Sequence, residues 1–160
     1  MGSYSFPIEP LDASTLRIAV VVSRFNDDIT GALLDGALST LRAAGLPEEG
    51  LTLVSVPGAF ELPVTAKALG SRGDCDAVIC LGAVIRGDTP HFEYVAGEAA
   101  SGLMDASLHT GVPIIFGVLT VDTRSQAIDR VGGSEGHKGE EAAATAIEMA
   151  NLIKRITSKA

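Results

Sequence analysis

Residues 85–93 read IRGDTPHFE. This short stretch offers a guanidinium, a glycine that frees the backbone, a hydroxyl and an imidazole. Packing a core requires none of them. A helix starting at or just after Pro90 would leave the amides of Gly87, Asp88 and Thr89 pointing outward near its positive end, and such an end binds phosphate. His91 would stand about one turn or less from the anion. The helix terminus favours the neutral ring and the anion the charged one, so the imidazole is suited to moving protons. The plainer alternative is a histidine that merely caps a helix.

Other segments carry residues of similar promise. SRFN offers Phe25, beside polar neighbours, as a ring that can stack on a flat ligand, and Asn26 as an amide. PGAFELP holds Glu61 between prolines, although an acid there could equally cap its own helix. Arg86 could simply pair with a surface acid, and the Arg86-Gly87-Asp88 tripeptide matches an adhesion signal by chance. Several chemistries are disfavoured. GGSEGHKGEE is no Walker A loop, since it follows no strand and its lysine precedes Gly139. The chain has neither G-x-G-x-x-G nor G-x-S-x-G. His91, His109 and His137 lack metal-ligand spacing, so no metal site is expected. Cys75 and Cys80 lack Cys-x-x-Cys spacing and read as reduced thiols. Lys67, Lys138, Lys154 and Lys159 fall on helices or their approaches, not on a strand where a Schiff-base lysine belongs. A reactive amine, if the chemistry needs one, belongs to the substrate.

The elements that must position these groups alternate. Residues 17–22 (RIAVVV), 51–56 (LTLVSV), 77–82 (AVICLG) and 113–120 (PIIFGVLT) are continuous apolar runs, as strands covered on both faces should be. Between them lie helical patterns at residues 27–45, 63–69 and 91–111, the first stopped by Gly45. His109 suits the end of the third by complementing its C-terminus. SQAIDRV reads as a short helix, and residues 139–160 as a long one with acids first and bases last. Strands separated by helices predict a three-layer α/β/α fold, a flavodoxin-like, doubly wound, four-stranded parallel sheet. Ligands of such sheets bind beyond the carboxyl ends of the strands, where the unusual residues gather. Residues 1–160 are expected to form a single domain, with 1–13 an N-terminal arm that is disordered or adds a strand to a neighbouring subunit's sheet.

The bulk composition sets the class. The chain has 160 residues, a net charge of −8 and no Trp, and wrapping nucleic acid would need clustered Lys and Arg instead. No apolar run approaches the ~18 residues of a membrane span, and the N-terminus lacks a secretory pattern, so a cytoplasmic protein is expected. Hydrophobic residues reach 46%, enough for some apolar surface to be buried between subunits.

SRFN, VPGAFELP, GAVIRGDTPHFEYV, IIFGVLT and AIDRVGGSEGHKGEEAA occur in that order from about residue 17 onward. Together they resemble the 6,7-dimethyl-8-ribityllumazine synthase family of riboflavin biosynthesis. The resemblance implies a transferase that condenses 5-amino-6-(D-ribitylamino)uracil with L-3,4-dihydroxy-2-butanone 4-phosphate, releasing phosphate and water, with no cofactor. It implies that Phe25 stacks on the pyrimidine and that Ala59, Phe60 and Glu61 meet the ribityl chain and ring edge. Ala83, Val84 and Ile85 would supply backbone bonds to the pyrimidinedione. Relatives can carry a hydroxyl at the position of Ala83, so only backbone contacts are expected there. Asp88 and Thr89 match the phosphate-contacting pair, Asp88 through its amide with its carboxylate turned away. His91 matches the catalytic histidine. Phe116 and Arg130 match residues donated by the adjacent subunit, Arg130 gripping phosphate, and Lys138 matches a lysine near the same pocket. The family forms homopentamers, and in some members twelve pentamers close into a sixty-subunit icosahedral shell, with riboflavin synthase as a candidate partner. The short Gly-rich segment between Arg130 and Lys138 resembles the shell-forming members. A non-catalytic flavin- or lumazine-binding module and a pure shell protein are the rival readings.

Overall fold

Alternating residues of each strand face opposite helical layers. A computed structural model describes residues 9–158. The elements run β1 (Ile18–Ser23), α1 (Asp27–Ala43), β2 (Leu51–Val56), α2 (Leu62–Gly70), β3 (Ala77–Ile85), α3 (His91–Thr110) and β4 (Ile114–Val121). Then come α4 (Arg124–Ile128), β5 (Val131–Gly133), β6 (Gly136–His137) and α5 (Lys138–Thr157). The main sheet has four strands in the order β2-β1-β3-β4, and every pairing is parallel. Ile18, Val20, Ile79 and Leu81 pack under α1 and α5 through Leu33, Leu41, Ala143 and Ile147. Ala19, Val21, Val78 and Cys80 pack under α2 and α3 through Leu62, Ala66, Ala99 and Leu103. The three α/β/α layers follow directly, because a parallel sheet must bury both faces, and the order β2-β1-β3-β4 makes the architecture flavodoxin-like.

Helix ends follow their local chemistry. Gly45 takes φ 87° just beyond α1, and Gly111 takes φ 69° as the C-cap of α3, a region that glycine enters without steric penalty. His109 Nδ1 lies 2.9 Å from the Asp105 carbonyl in the last turn of α3. In α5, Glu140 and Glu141 occupy the first turn and Lys154 and Arg155 the last. Cys80 is fully buried, and that burial pushes its thiol far above the ordinary range, so the inert, reduced form is favoured.

The elements depart from the sequence reading in two places that bear on the site. β3 runs on past Gly82 to Ile85. Gly82 does not end the strand. It is a close-packing point, where a Cβ would lie 3.2 Å from Ser23 Oγ and 3.3 Å from Leu62. Ala83, Val84 and Ile85 are therefore strand residues, paired with Leu119, Thr120 and Val121. The second departure is the antiparallel pair β5–β6 in the short Gly-rich segment before Lys138, while α4 ends at Ile128 rather than Val131. Gly132 (φ 107°) and Gly136 (φ 76°) supply the left-handed geometry of this turn.

Residues 1–8 of the proposed arm lie outside the described residues. From there the chain is tied to the domain: Ala13 is buried with its amide on Ala44 O at 2.8 Å, and Asn151 Nδ2 donates to Asp12 O at 2.9 Å.

Candidate functional site

The sheet reverses its direction of growth between β1 and β3, and a crevice opens there beyond the carboxyl ends of the strands. Its volume is about 400 Å³, and it is lined by Phe25 and Asn26 after β1, Gly58 to Phe60 after β2, and Ala83 to Ile85 of β3. Gly87, Thr89, His91, Phe92 and Val95 complete the wall. Phe25 is 72% exposed and Phe60 57% exposed, large aromatic surfaces left uncovered beside a cavity. Asn26 adopts φ 59°, the left-handed region that asparagine tolerates better than most residues. Its side-chain amide donates to Ala83 O at 3.0 Å, tying the turn after β1 to β3.

The loop from Gly87 to Pro90 brings the polar groups. α3 begins at His91 with Pro90 as its N-cap, and no side chain caps it by a hydrogen bond. Among the described residues, the amides of Gly87, Asp88 and Thr89 make no hydrogen bond; His91 N reaches Thr89 Oγ1 at a long 3.4 Å. Unpaired amides at the start of a twenty-residue helix form an anion-binding geometry. Asp88 is exposed and does not line the crevice, whereas Gly87 and Thr89 on either side of it do.

Glu61 makes the capping contact open to an acid at that position. Its Oε2 accepts from Gly58 N at 3.0 Å, capping the single 3-10 turn of residues 59–61, and it stays outside the lining. Arg86 pairs with Glu93, and its Nε donates to Asp122 Oδ1 at 2.8 Å. Asp122 and Glu93 together raise the affinity of the guanidinium for its proton. In return the Arg86 bond, with help from the Glu93 backbone amide, holds the Glu93 carboxyl below the usual carboxylate range. A depressed folded-state value means that this pair stabilises the fold above about pH 4.5 and loses that contribution as pH falls through the lower folded value. The melting-temperature difference between the parent chain and Glu93→Gln is therefore expected to be present at neutral pH and to vanish in acid below that range.

The remaining sequence candidates lie elsewhere. Phe116, Arg130 and Lys138 line a separate groove of about 520 Å³ between the free edge of β4 and α5. The β5–β6 hairpin returns the chain so that Lys138 N donates to Arg130 O at 2.8 Å, and both cationic residues line the one groove. Arg130 Nη1 donates to Gln126 O at 3.0 Å, and Lys138 Nζ sits 2.9 Å from Glu141 Oε2. Within one chain the crevice thus unites Phe25, Ala59, Phe60, Ala83, Val84, Ile85, Thr89 and His91, and leaves Phe116, Arg130 and Lys138 apart. Sequence reasoning missed Phe92 and Val95. Their i, i+3 spacing at the start of α3, directly after His91, was the available signal.

Fold and site define a class: a three-layer α/β protein whose switch-point crevice suits a flat ring next to an anion. The comparisons with known proteins narrow it. The family model for 6,7-dimethyl-8-ribityllumazine synthase matches residues 15–154. A relative from Edwardsiella ictaluri (strain 93-146), 6,7-dimethyl-8-ribityllumazine synthase, is 54% identical over 145 residues, covering 90% of this chain and 93% of the relative. The chain belongs to the 6,7-dimethyl-8-ribityllumazine synthase family. No helix among the described residues is long and apolar enough to cross a membrane.

Proposed function

We propose that the crevice between β1 and β3 is where this chain, a transferase, carries out its family's reaction. That reaction condenses 5-amino-6-(D-ribitylamino)uracil with L-3,4-dihydroxy-2-butanone 4-phosphate to 6,7-dimethyl-8-ribityllumazine in riboflavin biosynthesis. The observation that carries the siting is the convergence of an exposed aromatic, a strand backbone, unpaired helix-start amides and an imidazole on one cavity. Phe25 stacks on the pyrimidine, and the backbone of Ala83, Val84 and Ile85 reads its carbonyl and imide edge. Ala59 and Phe60 border the ribityl chain. Glu61 reaches the ribityl hydroxyls by giving up its bond to Gly58. Thr89, with the amides of Gly87 and Asp88, receives the phosphate.

The chemistry follows from two substrates that are already reactive. The pyrimidine's 5-amino group attacks the ketone and water leaves to give an imine. Phosphate then departs with its bonding electrons, the carbon skeleton tautomerises, and the ribityl-bearing nitrogen closes the ring with loss of a further water. His91 shuttles protons through these steps. The helix-start amides stabilise the departing anion. Much of the acceleration comes from holding the reactants in near-attack geometry. Replacing His91 with alanine is expected to lower kcat by about 10- to 100-fold, at or below the low end of what a positioned acid–base group contributes, without abolishing turnover. Full turnover of that variant at saturating substrates would remove the proton role.

Phe116, Arg130 and Lys138 complete the same site from an adjacent subunit, Arg130 and Lys138 on the phosphate and Phe116 beside the pyrimidine. The open β4 groove and the exposed apolar side chains of Tyr94, Met104 and Leu108 on α3 support an assembled protein. We extend this to a single-domain, cytoplasmic homopentamer, with twelve pentamers closing into a shell able to enclose riboflavin synthase. Light scattering should then report a particle far larger than a pentamer; a stable pentamer alone contradicts the shell. Mixing the purified chain with both substrates and following lumazine fluorescence tests the activity and separates it from a binding module or an inert shell protein.

A further inference from the structure

Arg86 is the first residue after β3, Glu93 lies in the first turn of α3, and Asp122 directly follows β4. The guanidinium binds both carboxylates at once, and its central carbon lies 4.3 Å from the centre of the Phe92 ring, which is part of the crevice wall. One side chain thus ties two strand ends to the start of the helix. Between the tied points runs the Gly87–Pro90 loop, which has little else to hold it. Its backbone bonds are Pro90 O with Glu93 N at 3.1 Å and the anchoring Arg86 N with Val121 O at 2.9 Å. A loop whose amides are left free for a ligand must have its shape fixed by other groups.

We infer that Arg86 is a positioning residue: its clamp on Glu93 and Asp122 sets the Gly87–Thr89 amides and His91 in the geometry that receives the phosphate-bearing substrate. This rests on the siting of the reaction in the crevice. Arg86 is not itself the anion receptor. It does not line the cavity, and one guanidinium against two carboxylates leaves the cluster with net negative charge.

The test is steady-state kinetics on the assembled protein with Arg86→Met, which keeps an apolar stem against Phe92 and removes the charge. KM for the butanone phosphate is expected to rise about tenfold and kcat to fall a few-fold, as small misplacements of reacting groups do. KM for the pyrimidine should stay within about two-fold, because the β3 backbone proposed to bind it is fixed by its pairing with β4. Asp122→Asn should reproduce part of the effect and add little to Arg86→Met, since both break one network. Arg86→Lys, able to hold one carboxylate well but not both, should fall between. It also serves if Arg86→Met does not fold. A lowered melting temperature with unchanged kinetic constants would overturn the inference, as would an equal rise in both KM values. A lower phosphate-substrate KM in Asp122→Asn would overturn it as well, because a freed guanidinium would then be binding the anion directly. Phe25→Ala and His91→Ala run alongside: if they too leave every constant unchanged, the siting of the reaction falls, and with it the clamp. If they change while Arg86→Met does not, only the clamp falls.

Discussion

Arg130→Ala is expected to raise KM for the butanone phosphate by about 10- to 100-fold, with a smaller change in KM for the pyrimidine. A charge-assisted bond to phosphate is worth ~1.5–3 kcal/mol, and each ~1.4 kcal/mol is a factor of ten in affinity. The larger consequence is geometric. Arg130 lines the β4–α5 groove, whereas Thr89 and His91 line the crevice between β1 and β3. For Arg130 to hold the same phosphate, it must come from a neighbouring copy. Subunits carrying Arg130→Ala and subunits carrying His91→Ala, unfolded together and reassembled, should therefore recover activity above either parent variant. Some interfaces in the mixture pair an intact His91 with an intact Arg130. Activity no higher than the average of the two variants would show that each chain builds its whole site alone. Lys138 belongs to the same test, since the β5–β6 hairpin fixes it beside Arg130.

The order of strands and helices was legible because strands covered on both faces read as unbroken apolar runs. RIAVVV and AVICLG announce themselves, and residues buried on both sides of the sheet confirm them. Gly82 misled because a glycine that ends a strand and one that admits a neighbouring layer look identical in sequence. Only the closeness of Ser23 and Leu62 separates the two. The β5–β6 hairpin was hidden for a related reason: its glycines supply positive φ in a segment with little side-chain pattern to periodically mark it. The rim of the crevice was legible from one rule, that parallel sheets bind beyond their carboxyl ends, which placed Phe25, Thr89 and His91 together without any knowledge of side-chain contacts. The partners of Arg86 were not legible. Asp122 stands 36 positions away, and a charged residue gives no sign in sequence of which acid it will meet. The separation of Arg130 from His91 within one chain was implied only by the family resemblance, because strand order decides it and periodicity does not report strand order.

Gly139→Ala should have the largest effect on stability, with a sign opposite to the one helix propensity suggests. Alanine is favoured over glycine inside a helix by about 1 kcal/mol. At Gly139 in the first turn of α5, however, an added Cβ would sit 2.1 Å from Leu33 O, 2.8 Å from Leu33 C and 2.9 Å from Leu33 Cα. These are backbone atoms of α1 and cannot rotate aside, so the helices must part. Overpacking of this kind costs about 1–3 kcal/mol, more where backbone has to move. In a domain of this size each kcal/mol is about 2–4 °C, so a fall in melting temperature of roughly 5–10 °C is expected. Gly31→Ala in α1 is the control, since nothing lies within 4 Å of its Cβ position and it should be neutral or slightly stabilising. The same contact bears on the proposed phosphate site. His137 packs into the space left by Gly36, where a Cβ would meet its ring at 2.1 Å, and Lys138 starts the helix that Gly139 seats. Forcing α5 outward must carry Lys138 and the hairpin holding Arg130 with it, so the phosphate-substrate KM should rise in Gly139→Ala even at temperatures where the chain is fully folded. A variant that melts at or above the parent temperature with unchanged KM would mean that the α1–α5 crossing is loose, and that the spacing of the two cations is set by the hairpin alone.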